Sequence, residues 1–341
     1  MTDASGAPAL DTARLDGYLR ERIPEVRGAL HCEQAMGGMS NPTYYLGYGD
    51  WSAVLRKQPA SSLSRSAHSI DREFRVMSAL HGSEVPVPKP MLYCDDASIV
   101  GTPFYLMERL RGRVFFEYAT PTLDAVARRA CYDSMCRTMA AIHRFDWQAA
   151  GLADFGRPGN YFERQIKRWS EQWENLRSAD NPCVDQLIRW LRERIPTSDR
   201  AAVCHGDFRL ANLMFHPTEP RVIGVLDWEL STLGHPLADV AFNVQAWRMR
   251  PDENGGIRGL DWTQLGIPSE RDYLDAYYRY SGSSERLTPF HMAFAMFRAA
   301  VGSAGIAARG AAANSPAAAA VGRKLSLAYA RRGVEAMGAP A

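Results

Sequence analysis

Residues 203–215 read VCHGDFRLANLMF. A histidine, an aspartate, an arginine and an asparagine interrupt a run that is otherwise apolar. Burying an unpaired carboxylate is expensive, so this stretch is either a partly exposed loop or a segment whose polar groups have partners. His205-Gly206-Asp207 alone is a turn signal, with glycine supplying backbone freedom and aspartate a cap. Residues further along the chain sharpen that reading. Asn212 stands five residues after Asp207, and twenty residues after Asp207 the run Val222-Ile223-Gly224-Val225-Leu226 delivers Asp227 at its end. Two carboxylates and an amide, each just past an apolar segment, are the oxygen donors that Mg²⁺ takes, usually with phosphates completing its sphere. A carboxylate left outside the metal could accept a hydroxyl proton. Asp, Asn five later and a further Asp match the template of phosphoryl transfer.

The N-terminal third carries a second, independent pattern. MGGMSN (36–41) places glycines between two strand-like runs, where backbone amides can form an anion-binding nest. The next strand, Ala53-Val54-Leu55-Arg56-Lys57, ends in two cations, of which alternation turns only one to a given face. Which of Arg56 and Lys57 points inward is left open by the pattern. Glu73 lies within the apolar stripe Ile70, Phe74, Met77 and Leu80 of a helix expected over 66–82, and a carboxylate there wants a cationic partner.

Around these motifs the order of elements is coarse but clear. A helix carrying Leu15 and Leu19 precedes strands at 29–36, 42–49 and 51–58, with Gly49-Asp50 as a hairpin. The 66–82 helix and two more strands come next, ending in YLMERLRG (105–112). Beyond that, long amphipathic helices are expected over 121–145 and 159–195, short β pieces over 201–228, and mostly helix from Pro236. The chain therefore reads as two lobes, a β-rich one over 1–109 and a larger helical one over 110–341.

Composition bounds the function. The 341 residues are 46% hydrophobic and 23% charged, enough for a sizeable core. A net charge of +2 implies neither nucleic acid nor a membrane surface as partner. The six cysteines form no Cys-x-x-Cys pair, and no histidine cluster completes a zinc spacing. The N-terminus lacks the pattern of a secretory signal, and the alanine-rich stretch 299–321 is broken by Arg309, Asn314 and Pro316. A cytoplasmic protein is expected, with oligomeric state not derivable.

Taken together these motifs resemble the aminoglycoside phosphotransferase family, which also includes choline and homoserine kinases. HGDFRLANLMF is similar to its catalytic loop and LDWE to its metal-binding motif. AVLRKQP, SAHSIDREFRVMSAL and VLDWELSTLGHPLADVA resemble, more narrowly, the kinase-like domains fused to some acyl-CoA dehydrogenases. The resemblance implies an α+β, protein kinase-like bilobal fold and an ATP- and Mg²⁺-dependent transfer of the γ-phosphate to a small-molecule hydroxyl, such as that of a hydroxyacyl-CoA. Residue by residue it implies Asp207 as catalytic base and Asn212 and Asp227 as Mg²⁺ ligands. It puts Gly38, Ser40, Asn41 and Arg56 near the nucleotide phosphates, with Glu73 paired to Arg56. The backbone of Glu108 and Leu110 would meet the adenine edge, with Met107 behind. His205, Arg209, Glu229 and Arg298 are expected around the loop or the acceptor. An antibiotic kinase and a nucleotide-binding pseudokinase are the competing readings.

Overall fold

The computed structural model describes residues 10–35, 41–59, 70–176 and 181–338, so Gly38 and Ser40 lie outside the described residues. The chain divides into two compact units. One runs to Gly112 and also takes in Ile223–Glu229; the other comprises Arg113–Val222 and resumes at Leu230. A linear split at 109/110 does not foresee that return of the chain to the first unit.

In the first unit, α1 (Thr12–Arg22) opens under the Asp11 side chain, which accepts the Arg14 N–H at 3.1 Å. β1 (His31–Gln34), β2 (Thr43–Tyr48) and β3 (Trp51–Lys57) form an antiparallel meander. Gly49 and Asp50 make its two-residue turn, with Gly49 at φ +57°. Then come α2 (Ile70–Leu80), β4 (Pro90–Cys94), a short α3 (Ala97–Val100) and β5 (Phe104–Glu108), giving the sheet order β1-β2-β3-β5-β4. α2 is described only from Ile70, so the expected start at Ser66 lies outside the described residues. α3 has no counterpart in the sequence reading; its four residues, capped by Asp96 and closed by Gly101 at φ +86°, are too few to show a period.

Alternation along the strands assigns the faces. Leu46, Leu55, Phe104 and Leu106 pack with Leu15 and Leu19 of α1 in one core. Lys57 shares the Leu55 face, and its Nζ donates to the Val100 carbonyl at 2.5 Å. Arg56 points the other way, toward α2.

The second unit contains β6 (Arg113–Val114), α4 (Ala125–Arg144), α5 (Tyr161–Leu176), α6 (Pro182–Arg192), β7 (Ala202–Cys204) and β8 (Leu213–Phe215). β9 (Val222–Val225) leads into the returning segment. β10 (Thr232–Gly234), α7 (Pro236–Arg248), α8 (Trp262–Leu265), α9 (Glu270–Ser281), α10 (Pro289–Ala312) and α11 (Pro316–Met337) complete it. The single helix expected over 159–195 is two, because Pro182 starts a new helix at its first position. β7 pairs antiparallel with β10, and β6 with β8.

α10 is the central beam, packed by α5, α6, α7 and α11. It is long and apolar enough to cross a bilayer by composition, and 72% of its most apolar window is buried inside the protein, as in the core helix of a folded domain. Its contact with α11 is close. A Cβ on Gly322 would collide with the Ala307 backbone, whereas one on Gly302 would meet nothing within 4 Å. Gly322→Ala should therefore lower the unfolding free energy by about 1–3 kcal/mol through overpacking. Gly302→Ala should raise it by about 0.5–1 kcal/mol through helix propensity. Thermal and urea unfolding of both variants check the opposite signs.

Candidate active site

In the first unit, β3 and β5 set Arg56 opposite Tyr105 and Val54 opposite Met107. These four side chains share the face that α2 covers. Arg56 Nη2 donates to Asp227 Oδ1 at 3.0 Å, and its Nε stands 3.4 Å from Glu73 Oε2. Glu73 is 1% exposed. Its carboxylate accepts the Asn41 amide at 2.7 Å and the Tyr105 hydroxyl at 2.9 Å. Burial pushes the Glu73 carboxyl above its ordinary value, even against the Arg56 charge that pulls it down. Burial would lower Arg56, but the charges of Tyr105, Glu73 and Asp227 outweigh it and raise the guanidinium well above its ordinary value. The cation left open by the sequence is thus Arg56, with Lys57 on the opposite face.

Asp227 sits at φ +65°, a left-handed position that aspartate tolerates better than most residues. The turn is fixed just beyond it by Trp228, buried, whose indole donates to the Val225 carbonyl at 3.0 Å. Glu229 is half-buried on the same turn. Leu110 lies directly over Gly224, where a Cβ would collide with its Cδ1. The Glu108 N–H is already taken by the Lys89 carbonyl at 2.8 Å. Asn41, expected beside the phosphates, is 1% exposed and gives its amide to Glu73. Its amide therefore braces the ion network.

In the second unit, the loop after β7 carries His205, Asp207, Arg209 and Asn212. Asp239 on α7 accepts the backbone N–H of His205 at 2.5 Å and of Gly206 at 3.0 Å. Gly206 is at φ +84°, and a Cβ there would meet the Leu230 carbonyl at 2.5 Å, so glycine is required. Asn243, one helical turn after Asp239, donates to the Phe208 carbonyl at 3.2 Å. Arg298 on α10 donates to the Gly206 carbonyl at 3.2 Å. His205 is fully buried and its Nδ1 accepts the Asp207 N–H at 3.2 Å. The backbone of the loop is therefore held from both of its edges. The Asp207 carboxylate projects from it, accepting from Asn212 Nδ2 at 2.8 Å and Arg209 Nε at 3.2 Å.

Behind the loop, His143 Nε2 stands 3.6 Å from Asp239, and its Nδ1 lies 2.7 Å from the Tyr277 hydroxyl. Burial would raise the Asp239 carboxyl, but His143, His205 and the Gly206 N–H hold it below its ordinary value. Atoms of His143, Cys204 and Asp239 lie within 4.8 Å of one another. The Asp239 oxygens are already occupied by the two loop amides, and burial keeps the Cys204 thiol protonated. The cluster is thus a bracing set rather than a metal site.

Three contributors escaped the sequence reading. Tyr105 was hidden as one aromatic in a buried strand. His143 looked like any residue near a helix end. Asn243 had a usable signal: Asp239 and Asn243 are polar residues four apart in the otherwise apolar PLADVAFNV.

An α+β fold of a β-rich and a mostly helical unit, with an aspartate loop of this construction, defines a kinase-like phosphotransferase. The chain belongs to the phosphotransferase enzyme family, whose profile matches residues 31–278. It is 41% identical over 301 residues to acyl-CoA dehydrogenase family member 10 of Mus musculus, covering 86% of this chain and 28% of that protein. The chain thus spans under a third of the length of that relative. A crystal structure from Ralstonia eutropha, provisionally described as an aminoglycoside phosphotransferase, is 41% identical and covers 96% of this chain and 98% of its own, with a TM-score of 0.89. The GDP complex of aminoglycoside 2'-phosphotransferase-IIIa, 14% identical, shares the fold over 95% of this chain and 99% of its own, with a TM-score of 0.63.

Charge burial makes two effects measurable. Arg56→Met strands Glu73 in the interior and should cost about 3–5 kcal/mol by chemical denaturation. Adding Glu73→Gln to that variant should recover a large part of the loss. Separately, His291 donates nothing through Nδ1 but accepts the Thr288 N–H there at 3.2 Å, packed on Phe162. Burial, aided by the charge of His235, pushes His291 down to about 3. It is neutral in the native state, while the unfolded residue binds a proton near pH 6.5. Stability should fall as pH drops from about 6.5 toward 3, by about 3 kcal/mol at pH 4 from this group. His291→Asn, which keeps an acceptor at that position, should flatten the acid slope in urea titrations.

Proposed function

We propose that this protein is a cytoplasmic, ATP- and Mg²⁺-dependent kinase that phosphorylates the hydroxyl of a small molecule, a hydroxyacyl-CoA. The observation that carries the reading is the Asp207 carboxylate, held by Asn212 on a loop whose amides and carbonyls are pinned by Asp239, Asn243 and Arg298. A fixed carboxylate can orient an acceptor hydroxyl and take its proton as the bond to phosphorus forms. With so little covalent chemistry for the protein to perform, positioning supplies most of the rate.

Asn212 and Asp227 each offer an oxygen, one amide and one carboxylate, of the kind a magnesium ion prefers, and they are the residues that the family resemblance assigns to it. When bound, that ion neutralises charge on the phosphates. Arg56 is a fixed, permanently charged clamp for a nucleotide phosphate, with Glu73 holding it in place. Met107 and Leu110 offer apolar surface for the base. A solved member of the same fold is a GDP complex, which supports a nucleotide as donor. All six cysteines are free thiols, in keeping with a reducing compartment.

The acceptor class rests on charge and on kinship. Arg209 and Arg298 both stand beside the Asp207 turn. Two cations there disfavour a polycationic aminoglycoside and favour an acceptor carrying negative or carbonyl oxygen. A 41% identical relative is named for acyl-CoA dehydrogenase chemistry, which supports an acyl thioester as the compound met. Asp207→Asn should lower phosphoryl transfer by at least about 100-fold while ATP binding survives. ADP release in the presence of a panel of hydroxyacyl-CoAs and, in parallel, aminoglycosides reads this out. Near-normal turnover by the variant, or no ADP above the acceptor-free control with any hydroxyacyl-CoA, overturns the proposal.

A further inference from the structure

Arg298 is a half-buried cation of the second unit with few polar partners. It occupies α10 among Phe294, Met296 and Phe297, all buried. Helical charge in such a setting costs desolvation, and a guanidinium normally recovers it through several hydrogen bonds or a carboxylate. Here the guanidinium makes one hydrogen bond, to the neutral Gly206 carbonyl at 3.2 Å. Its Nε is buried with no acceptor, and among the described residues it forms no ion pair. Nearby carboxylates are engaged elsewhere: Asp239 by the loop amides, Asp207 by Asn212 and Arg209.

Aromatic rings surround the guanidinium. Trp169 of α5, Phe242 of α7 and Phe294 of α10 have ring centroids 5.7, 6.0 and 5.9 Å from its central carbon. Arg298, Trp169 and Phe242 are each only half-buried, so this group of side chains reaches the surface. A half-exposed guanidinium with a single hydrogen bond, flanked by aromatic rings, fits a ligand of matching polarity: an apolar chain ending in an oxygen acceptor.

We propose that Arg298, walled by Trp169 and Phe242, is the acyl subsite of the acceptor, its guanidinium binding the C1 oxygen of a hydroxyacyl compound while the chain lies on the rings. This rests on the reading of Asp207 as the group that receives the hydroxyl. Arg298 bonds the carbonyl of the residue immediately before Asp207, and consecutive Cα atoms are about 3.8 Å apart. The cation thus sits against the residue that precedes the carboxylate, which suits a hydroxyl within a few carbons of C1. The guanidinium needs only an oxygen acceptor, so a thioester carbonyl and a free carboxylate share the required chemistry.

The test measures binding as well as turnover. Equilibrium binding of 4-hydroxyhexanoyl-CoA, of 4-hydroxyhexanoate and of hexan-3-ol, which lacks the C1 oxygen, is compared for the wild type, Arg298→Gln and Arg298→Lys. A lost charged hydrogen bond predicts that Arg298→Gln weakens binding of the oxygen-bearing probe by about tenfold or more, with partial recovery in Arg298→Lys and no change for hexan-3-ol. A greater loss for the thioester identifies a carbonyl as the natural group, and a greater loss for the free acid identifies a carboxylate. In turnover, the acceptor KM should rise more than kcat falls, with the KM for ATP unchanged. Unchanged affinity for both oxygen-bearing probes in a variant that melts like the wild type overturns the subsite. So does an equal loss for all three probes, which marks Arg298 as a brace for the loop alone. Asp207→Asn keeps these failures separate: normal turnover in that variant removes the base, while the binding contrast at Arg298 still stands or falls by itself.

Discussion

A buried carboxylate under a backbone turn is the constraint on which the second unit depends. Asp239 is 1% exposed and gives both oxygens to the amides of His205 and Gly206. A lone carboxylate at that depth would be neutralised or expelled. It is retained because two N–H groups point at it and an imidazole stands behind it. The turn, in return, cannot relax without stranding that charge. This is why the side chain of Asp207 is presented by rigid backbone even though it lies in a loop.

The first unit uses the same device with a different balance. Glu73 is equally buried, yet its carboxyl is pushed up where that of Asp239 is held down. Asp239 receives backbone amides directly, whereas Glu73 relies on an amide side chain, a phenol and a guanidinium that it shares with Asp227. Arg56 thus holds a buried and a half-buried carboxylate at once. Arginine suits that position because its planar fork offers donors in two directions, which an ammonium on a flexible stem cannot fix as well.

Under the proposed function, charge beside the Asp207 turn separates this chain's acceptor from the one that a relative's description names. Fold alone does not choose an acceptor. Arg209 and Arg298 beside the Asp207 turn bias the choice away from cations. Under the same proposal, the aromatic surround of Arg298 adds apolar surface that an acyl chain can use.

Much of this molecule was written locally. The hairpin at Gly49-Asp50, the helix around Leu15 and Leu19, and the strand that leads to Asp227 arise from glycine freedom, helical spacing and an unbroken apolar run. The loop was legible for the same reason: Asp207 and Asn212 lie five residues apart and need no distant partner to meet. Other features required the folded chain. Choosing Arg56 over Lys57 depended on which face α2 covers, since alternation fixes that the two diverge but not which one finds Glu73. Asn41 as a brace, Tyr105 on Glu73, Arg298 on Gly206 and the return of residues 223–229 to the first unit all join segments more than thirty residues apart. Spacing along a chain encodes what one helix or strand can bring together; which elements then press on each other is settled by packing, and that is where these partners were decided.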